Sequence, residues 1–261
     1  MSYKNNTKTY TYHSAAEEEF ELHTIKCERL IPAQDKLVIH TTPGQKVVEG
    51  RKDRNNYGPI GLKEFCNRMA AVYSASAYDD PYADQLLLNI YNECIKLRRY
   101  ISKVEEEYLR KLKEVEGLEL TVREAIKPVT YNISFKTPYG YLIAYLLIDF
   151  DRFCRAIISA KMAALMPEKF DIQKTLLDLR KRIRRILSEP LKWHYTGVMR
   201  PDVEAQNKLA NEAKKVNQFT VESHVFSKEK RAPYAPRIRD FIKEIMMELD
   251  AELSGETLNV R

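Results

Sequence analysis

A strictly alternating segment, residues 129–135, stands out in the hydrophobic pattern of the chain. Its odd-numbered residues are apolar or aromatic and its even-numbered residues carry short hydrogen-bonding groups: Val129, Tyr131, Ile133 and Phe135 against Thr130, Asn132 and Ser134. Because successive side chains of a strand point to opposite faces, the pattern predicts a strand with one apolar and one polar face. A lone strand must pair, and the most economical partner is its copy in a second chain, which would give a two-stranded antiparallel ribbon.

Helical periodicity precedes this strand. Apolar residues at intervals of three and four predict a helix from Ile60 to about Ala77 and another from Pro81 to about Glu116. Asp79 and Asp80 before Pro81 are an acidic cap followed by proline in the first turn, which signals the start of the second helix. The second helix carries an apolar seam that is typical of a coiled coil. Its residues are Leu87, Ile90, Cys94, Leu97, Ile101, Val104 and Tyr108. Either the preceding helix of the same chain or the same helix of a second chain is expected to cover this seam.

Helices also follow the strand. Thr137 and Pro138 are a plausible cap and first residue of an apolar helix of about 28 residues that ends before Pro167. An amphipathic helix is expected at about 171–188, a polar one at about 202–217, and a last one through Ile242 and Met246 to Leu253. A strand followed by two helices is the layout of a ribbon–helix–helix unit, which binds DNA. The predicted fold is therefore mainly α with a short β-ribbon, a ribbon–helix–helix-like core elaborated by additional long helices.

These elements suggest four regions. Residues 1–58 read as an N-terminal arm, which includes a short apolar-alternating piece at 36–40, and residues 59–117 as a helical hairpin with the heptad seam. Residues 118–190 read as the ribbon–helix–helix-like DNA-binding core, and residues 191–261 as a C-terminal helical region.

Charge is unevenly distributed between these regions. The chain has a net charge of +6. Residues 127–200 contain fourteen Lys and Arg against six Asp and Glu, a net of +8, so the remainder is slightly acidic. A basic segment that contains a polar strand face is expected of a phosphate-binding surface, although a solvated helix face has the same composition.

Several classes of protein are disfavoured by composition. The first nineteen residues contain no apolar block, so no signal peptide is expected, and charged residues interrupt the apolar run 139–166, which argues against a membrane span. The four cysteines are far apart and the five histidines form no ligand spacing, so neither a metal nor another cofactor is expected. A relaxase would need a histidine cluster, and Asp149 and Asp151 are expected to form ion pairs rather than an acid–base pair. The chain is therefore not expected to be an enzyme.

The candidate DNA-contacting residues follow from this layout. Thr130, Asn132 and Ser134 would read base edges in the major groove, since asparagine can bind adenine with two hydrogen bonds and hydroxyls can donate or accept. The expected phosphate contacts are basic residues that flank the strand or lie on the following helices: Lys127, Lys136, Lys174, Arg182 and Arg185. A half-buried strand with no ligand would show the same polar face. A non-catalytic coiled-coil adaptor protein is the alternative interpretation.

Four segments resemble a known family. They are DDPYADQLLLNIYNE (79–93), YGYLIAYLLIDFDRFCRAIISAKMAALM (139–166), WHYTGVMRPDVEAQNKLANEAKKVN (193–217) and KRAPYAPRIR (230–239). They look like the proteins of conjugative plasmids and integrating conjugative elements to which the transcriptional activator AcaB belongs. The resemblance implies a dimeric DNA-binding activator of conjugation genes, and an adaptor would instead bind another component of the conjugation machinery. The expected partners are double-stranded promoter DNA, a second copy of the chain and RNA polymerase. The lack of a signal peptide predicts a cytoplasmic location, at the bacterial nucleoid when the protein is bound to DNA.

Overall fold

Helices dominate the computed structural model, which describes residues 35–51, 58–113, 117, 120–166, 172–217 and 219–239. In chain order the elements are β1 (Asp35–Ile39), α1 (Thr42–Glu49), α2 (Leu62–Ala77), α3 (Pro81–Lys113), β2 (Val129–Ile133), α4 (Pro138–Met162), α5 (Ile172–Ser188), a 3-10 turn (Glu189–Lys192), α6 (Arg200–Glu204), α7 (Lys208–Val216) and α8 (Ser223–Phe226). Within the described residues the strands form one two-stranded sheet. The predicted fold class, mainly α with a short β-ribbon, is confirmed.

The centre of the fold is the contact between α3 and α4. Helix α4 is buried on most of its surface, as its apolar sequence predicts. The Cys94 thiol donates to the Leu142 carbonyl at 3.5 Å, and the rings of Tyr108 and Phe153 meet edge to face with centroids 6.1 Å apart. The heptad seam of α3 is thus buried within the chain, chiefly against α4 and also against α2.

The ribbon pairs two strands of the same chain. β1 runs antiparallel to β2, with Leu37 opposite Tyr131 and Lys36 opposite Asn132. The prediction that β2 takes its partner from a second chain is therefore wrong. The physical reason is that apolar and polar residues also alternate over 35–39, where Leu37 and Ile39 are buried. This segment can therefore pair with β2 as a second strand without the entropy cost of association between chains. Residues that the sequence analysis placed in an N-terminal arm thus belong to the ribbon.

Two predicted helix starts have different caps. At α3 the Asp80 carboxylate accepts hydrogen bonds from the amides of Tyr82 at 2.8 Å and Ala83 at 3.1 Å, which satisfies donors that the helix itself leaves unpaired. At α4 the expected cap residue, Thr137, is extended, but its side chain makes no capping hydrogen bond. Proline follows in the first turn of both helices, as predicted.

The C-terminal region departs from its prediction in one place. The helix expected at 202–217 is divided into α6 and α7, because Gln206 has a left-handed backbone with φ 49° and Asn207 begins a new helix by accepting from the Ala210 amide at 3.0 Å. The helix expected to reach Leu253 lies outside the described residues. None of the described helices is long and apolar enough to cross a bilayer.

Candidate nucleic-acid interface

The outward face of the ribbon is a small, exposed surface built from both strands. Thr130 and Asn132 of β2 are exposed, as are Lys36 and Val38 of β1. The register places Lys36 opposite Asn132 and Val38 opposite Thr130. Ser134, one residue beyond β2, is also exposed. The three predicted base-reading residues therefore lie on one surface, together with two residues of β1 that were not predicted to do so.

The inner face holds the ribbon against the helices. Leu37 and Ile39 are almost completely buried, and Tyr131 and Ile133 pack against the same core. The Tyr131 hydroxyl donates to the Glu49 carboxylate at 2.8 Å at the end of α1. Burial, reinforced by this hydrogen bond to a carboxylate, raises the pKa of the Tyr131 phenol, so it stays protonated as the donor.

A buried carboxylate joins the end of β1 to α4. Asp151 accepts from the Thr41 amide at 2.8 Å, the Thr41 hydroxyl at 2.7 Å and the His40 amide at 3.1 Å. At the other end of the strand, the Tyr141 hydroxyl donates to Asp35 at 2.5 Å. Both ends of β1 are thus fixed to α4 by side-chain hydrogen bonds.

The predicted phosphate-binding residues separate into two groups. Lys127 and Lys136 are exposed on either side of β2. Arg182 and Arg185 lie elsewhere, in a groove between α3 and α5, where the Arg182 guanidinium stacks over the Tyr100 ring at 5.1 Å from its centroid. Lys174 is exposed in the first turn of α5.

The acidic pair of α4 has structural partners. Asp149 accepts from the Arg98 guanidinium at 2.6 Å, while Asp151 caps the β1–α1 junction and lies 3.7 Å from Arg155. Their side chains thus engage different elements, as their spacing predicts. No group of three or more His, Cys, Asp or Glu that could hold a metal ion occurs among the described residues.

The cysteines that the structure describes behave as apolar core residues. Burial raises the pKa of the Cys66, Cys94 and Cys154 thiols to about 12, so all three stay protonated at neutral pH. A protonated, buried thiol is a poor nucleophile and a poor metal ligand. These positions therefore contribute packing rather than chemistry.

Lys36 and Val38 are the residues that sequence reasoning missed at this surface. Their signal was present, because Leu37 and Ile39 alternate with them over residues 36–40. A stretch this short predicts a strand but does not identify its partner, which lies some ninety residues later in the chain. The surrounding polar sequence therefore led to the assignment of an arm.

Comparison with known proteins agrees with this architecture. A family model described as transcriptional regulator AcaB matches residues 20–239. Among solved structures, the chain is similar to the crystal structure of selenomethionine-containing AcaB from uropathogenic E. coli, with a TM-score of 0.51 and 13% sequence identity over 77% of this chain and 97% of that chain. No curated protein matches the sequence.

Proposed function

The chain belongs to the AcaB family of transcriptional regulators, and from this premise we propose that it is a sequence-specific DNA-binding activator of conjugative transfer genes. The observation that carries the proposal is the exposed polar face of the ribbon, fixed at both ends and flanked by Lys127 and Lys136. A two-stranded ribbon fits the major groove, where its outward side chains reach base edges.

Base reading is assigned to β2 and the residue that follows it. Asn132 would bind adenine through its amide, and the hydroxyls of Thr130 and Ser134 would bind either member of a base pair. These side chains are short and have few rotatable bonds, and Thr130 and Asn132 stand on a strand paired with β1, so little conformational entropy opposes their contact with DNA. The surface therefore suits direct readout better than a flexible loop would.

Phosphate contacts would orient the ribbon. Lys127 and Lys136, which are exposed, would bind the DNA backbone beside the groove, and we propose the same role for Lys174, Arg182 and Arg185 on α5. Such contacts carry no sequence information but give binding its dependence on salt. The role of Arg182 requires the DNA to reach the groove between α3 and α5.

We further propose that the protein acts as a dimer on double-stranded promoter DNA and contacts RNA polymerase there. Since each chain completes its own ribbon, a dimer would bring two ribbons to the DNA rather than share one. The adaptor alternative required a heptad seam available to another protein. In the structure Leu87, Ile90 and Cys94 of that seam are fully buried, which favours the DNA-binding function.

Asn132→Ala tests the proposal. The probe is duplex DNA selected from a random-sequence pool by the wild-type protein, and the competitor is unselected duplex. Loss of a base contact should weaken binding to the selected duplex by roughly 1–3 kcal/mol, or about 5- to 150-fold, with little change for the competitor. Fluorescence anisotropy titrations at fixed salt measure both affinities.

Lys136→Ala provides the contrasting change. It should weaken binding to both duplexes alike and reduce the salt dependence by about one phosphate, because a lysine that contacts phosphate reads no sequence. Lys63→Ala, at an exposed position of α2, is the matched control. If Asn132→Ala and Thr130→Ala bind the selected duplex as tightly as wild type does, the ribbon does not read bases and the proposal is overturned.

A further inference from the structure

The two strands of the ribbon lead into their helices through the same local design. Thr41 and Thr137 both occupy the cap position with an extended backbone, at φ −111° and −138°. A proline follows within the first turn of each helix. Gly44 and Gly140 each lie three residues after the cap. The β1–α1 and β2–α4 junctions therefore share an extended threonine, an early proline and a glycine at the same spacing, although only Thr41 makes a capping hydrogen bond and the helices differ in length.

The two glycines meet equivalent side chains. A Cβ at Gly44 would lie 2.8 Å from the Ile39 Cγ2 atom, and a Cβ at Gly140 would collide with the ring of Phe135. Ile39 and Phe135 each lie two residues before the cap. In both halves, then, the first turn of the helix packs directly on the end of its strand, and a larger residue than glycine would separate them.

Matching the two caps locates an approximate two-fold axis. When Thr41 is matched to Thr137, Lys36 is matched to Asn132 and Val38 to Ser134. Lys36 and Asn132 are also direct partners in the antiparallel register. Equivalent residues that face each other must lie beside the axis that relates their strands. The axis therefore passes between Lys36 and Asn132, the second of the five residue pairs of the ribbon.

We propose that one chain carries a two-fold-like DNA-reading ribbon whose halves bear different outward side chains, with Lys36 and Val38 as specificity residues of β1. This proposal rests on the proposed function of the ribbon. A homodimeric ribbon presents identical residues on both strands and suits a self-complementary site. Here the two halves share a threonine cap, a proline and a glycine but carry different outward side chains, so the DNA segment under one ribbon would not be self-complementary.

The chemistry of the β1 residues indicates their targets. The Lys36 ammonium is a donor without acceptor capacity and suits the O6 and N7 acceptors of guanine, whereas its counterpart Asn132 suits adenine. Val38 exposes 41% of its surface on an otherwise polar face. Because its methyl groups have no apolar partner across the ribbon, where Thr130 stands opposite, Val38 suits the methyl group of thymine.

A symmetrising variant tests this assignment. Lys36→Asn places the same side chain on both sides of the axis, and the sequences it selects from a random duplex pool should replace guanine by adenine at one central position. Affinity for the original selected duplex should fall roughly 5- to 150-fold. Val38→Ala should relax the preference for thymine at one position and leave the guanine preference intact.

The controls distinguish this proposal from the proposed function of the ribbon on which it rests. Lys63→Asn should keep the wild-type base preferences, and thermal unfolding checks that each variant is folded. If Asn132→Ala loses specificity while Lys36→Asn selects the wild-type sequence, the β1 assignment is wrong and the function of β2 stands. If neither change alters the selected sequence, both proposals fail. If the DNA sequence selected for a single ribbon is self-complementary, the proposal that the two strands read different bases is also overturned.

Discussion

Asp80 is buried where α3 begins, and its carboxylate has three donors around it. It accepts from the amides of Tyr82 and Ala83 and from the Trp193 indole at 3.2 Å. Burial nevertheless raises its pKa from 3.8 to about 6, and the neighbouring charge of Asp84 acts in the same direction. The folded protein therefore retains a proton between about pH 4 and pH 6 that the unfolded chain releases.

This raised pKa predicts a pH dependence of stability. The contribution of Asp80 is fully present below its unfolded pKa and is lost as pH rises through about 6, because the carboxylate must then be charged while buried. The side chain of Asp80→Asn stays neutral at every pH. The free energy of unfolding of this variant minus that of wild type should therefore rise by on the order of 2 kcal/mol from pH 4 to pH 7. Urea unfolding at both values measures this difference.

The control for that experiment is Asp178→Asn, a half-exposed carboxylate on α5. This change should alter the free energy of unfolding only slightly, since an exposed, screened charge contributes little to stability. A constant difference for Asp80→Asn would contradict the raised pKa. A fixed loss from the missing Trp193 hydrogen bond is expected at every pH and does not affect the comparison.

At the scale of single residues, the sequence predicted the starts of helices best. Asp80 before Pro81 predicted the start of α3, because both residue types have a local reason to be there. The pKa of Asp80 could not be predicted in this way. It depends on Trp193, which reaches the carboxylate from more than a hundred residues away in the chain.

At the scale of elements, the junction between β1 and α1 depends on α4. The Asp151 carboxylate receives both Thr41 donors and the His40 amide, and it is almost completely buried. The same carboxylate lies 2.9 Å from where a Cβ of Gly44 would stand. Strand β1 is therefore held by a helix that is distant in sequence, and the ribbon face depends on this contact.

Asp151→Ala should detach this end of the ribbon. Leaving three buried donors without their acceptor is expected to cost about 2–4 kcal/mol of unfolding free energy. Hydrogen exchange should accelerate at the amides of Leu37 and Ile39 more than in α3. Thr41→Val, which removes one hydroxyl and keeps the backbone contacts, should cost only about 1 kcal/mol. Unchanged exchange in β1 would show that the ribbon does not depend on Asp151.

Hydrophobic periodicity did not predict which elements pack against each other. The alternation at 129–135 predicted β2, and the heptad pattern predicted the apolar face of α3, because both patterns are local. Which elements these faces meet depends on chain topology. Strand β2 pairs with β1, and the seam of α3 packs chiefly on α4, neither of which was the partner expected from sequence.

At the scale of the whole molecule, two arginines attach the C-terminal region to the helical core. Arg200 is almost completely buried and its guanidinium binds Asp84 at 2.7 Å, Asp79, and the carbonyl of Val225 at 2.8 Å. Arg231 binds the other oxygen of Asp84 at 2.8 Å. One buried carboxylate at the start of α3 thus joins two separate parts of residues 200–231.

The sequence marked these arginines only as basic residues near prolines. A run such as KRAPYAPRIR is typical of an exposed loop, and Arg237 within it is indeed exposed. Arg231 differs because it reaches Asp84 and the Ser76 hydroxyl at 3.0 Å. A single sequence does not distinguish a guanidinium that pairs with a distant buried carboxylate from one that faces solvent, since both read as the same charge.

Arg200→Met should therefore destabilise the molecule without altering what the ribbon reads. Asp84 would keep one of its two cationic partners while buried, and breaking such a pair is expected to cost about 3–5 kcal/mol. Urea unfolding measures the loss, with Arg237→Met as the exposed control. Below its unfolding transition, the variant should retain the wild-type base preferences, because β1 and β2 are held by α1 and α4. A changed preference in the folded variant would show instead that the C-terminal region contributes to DNA recognition.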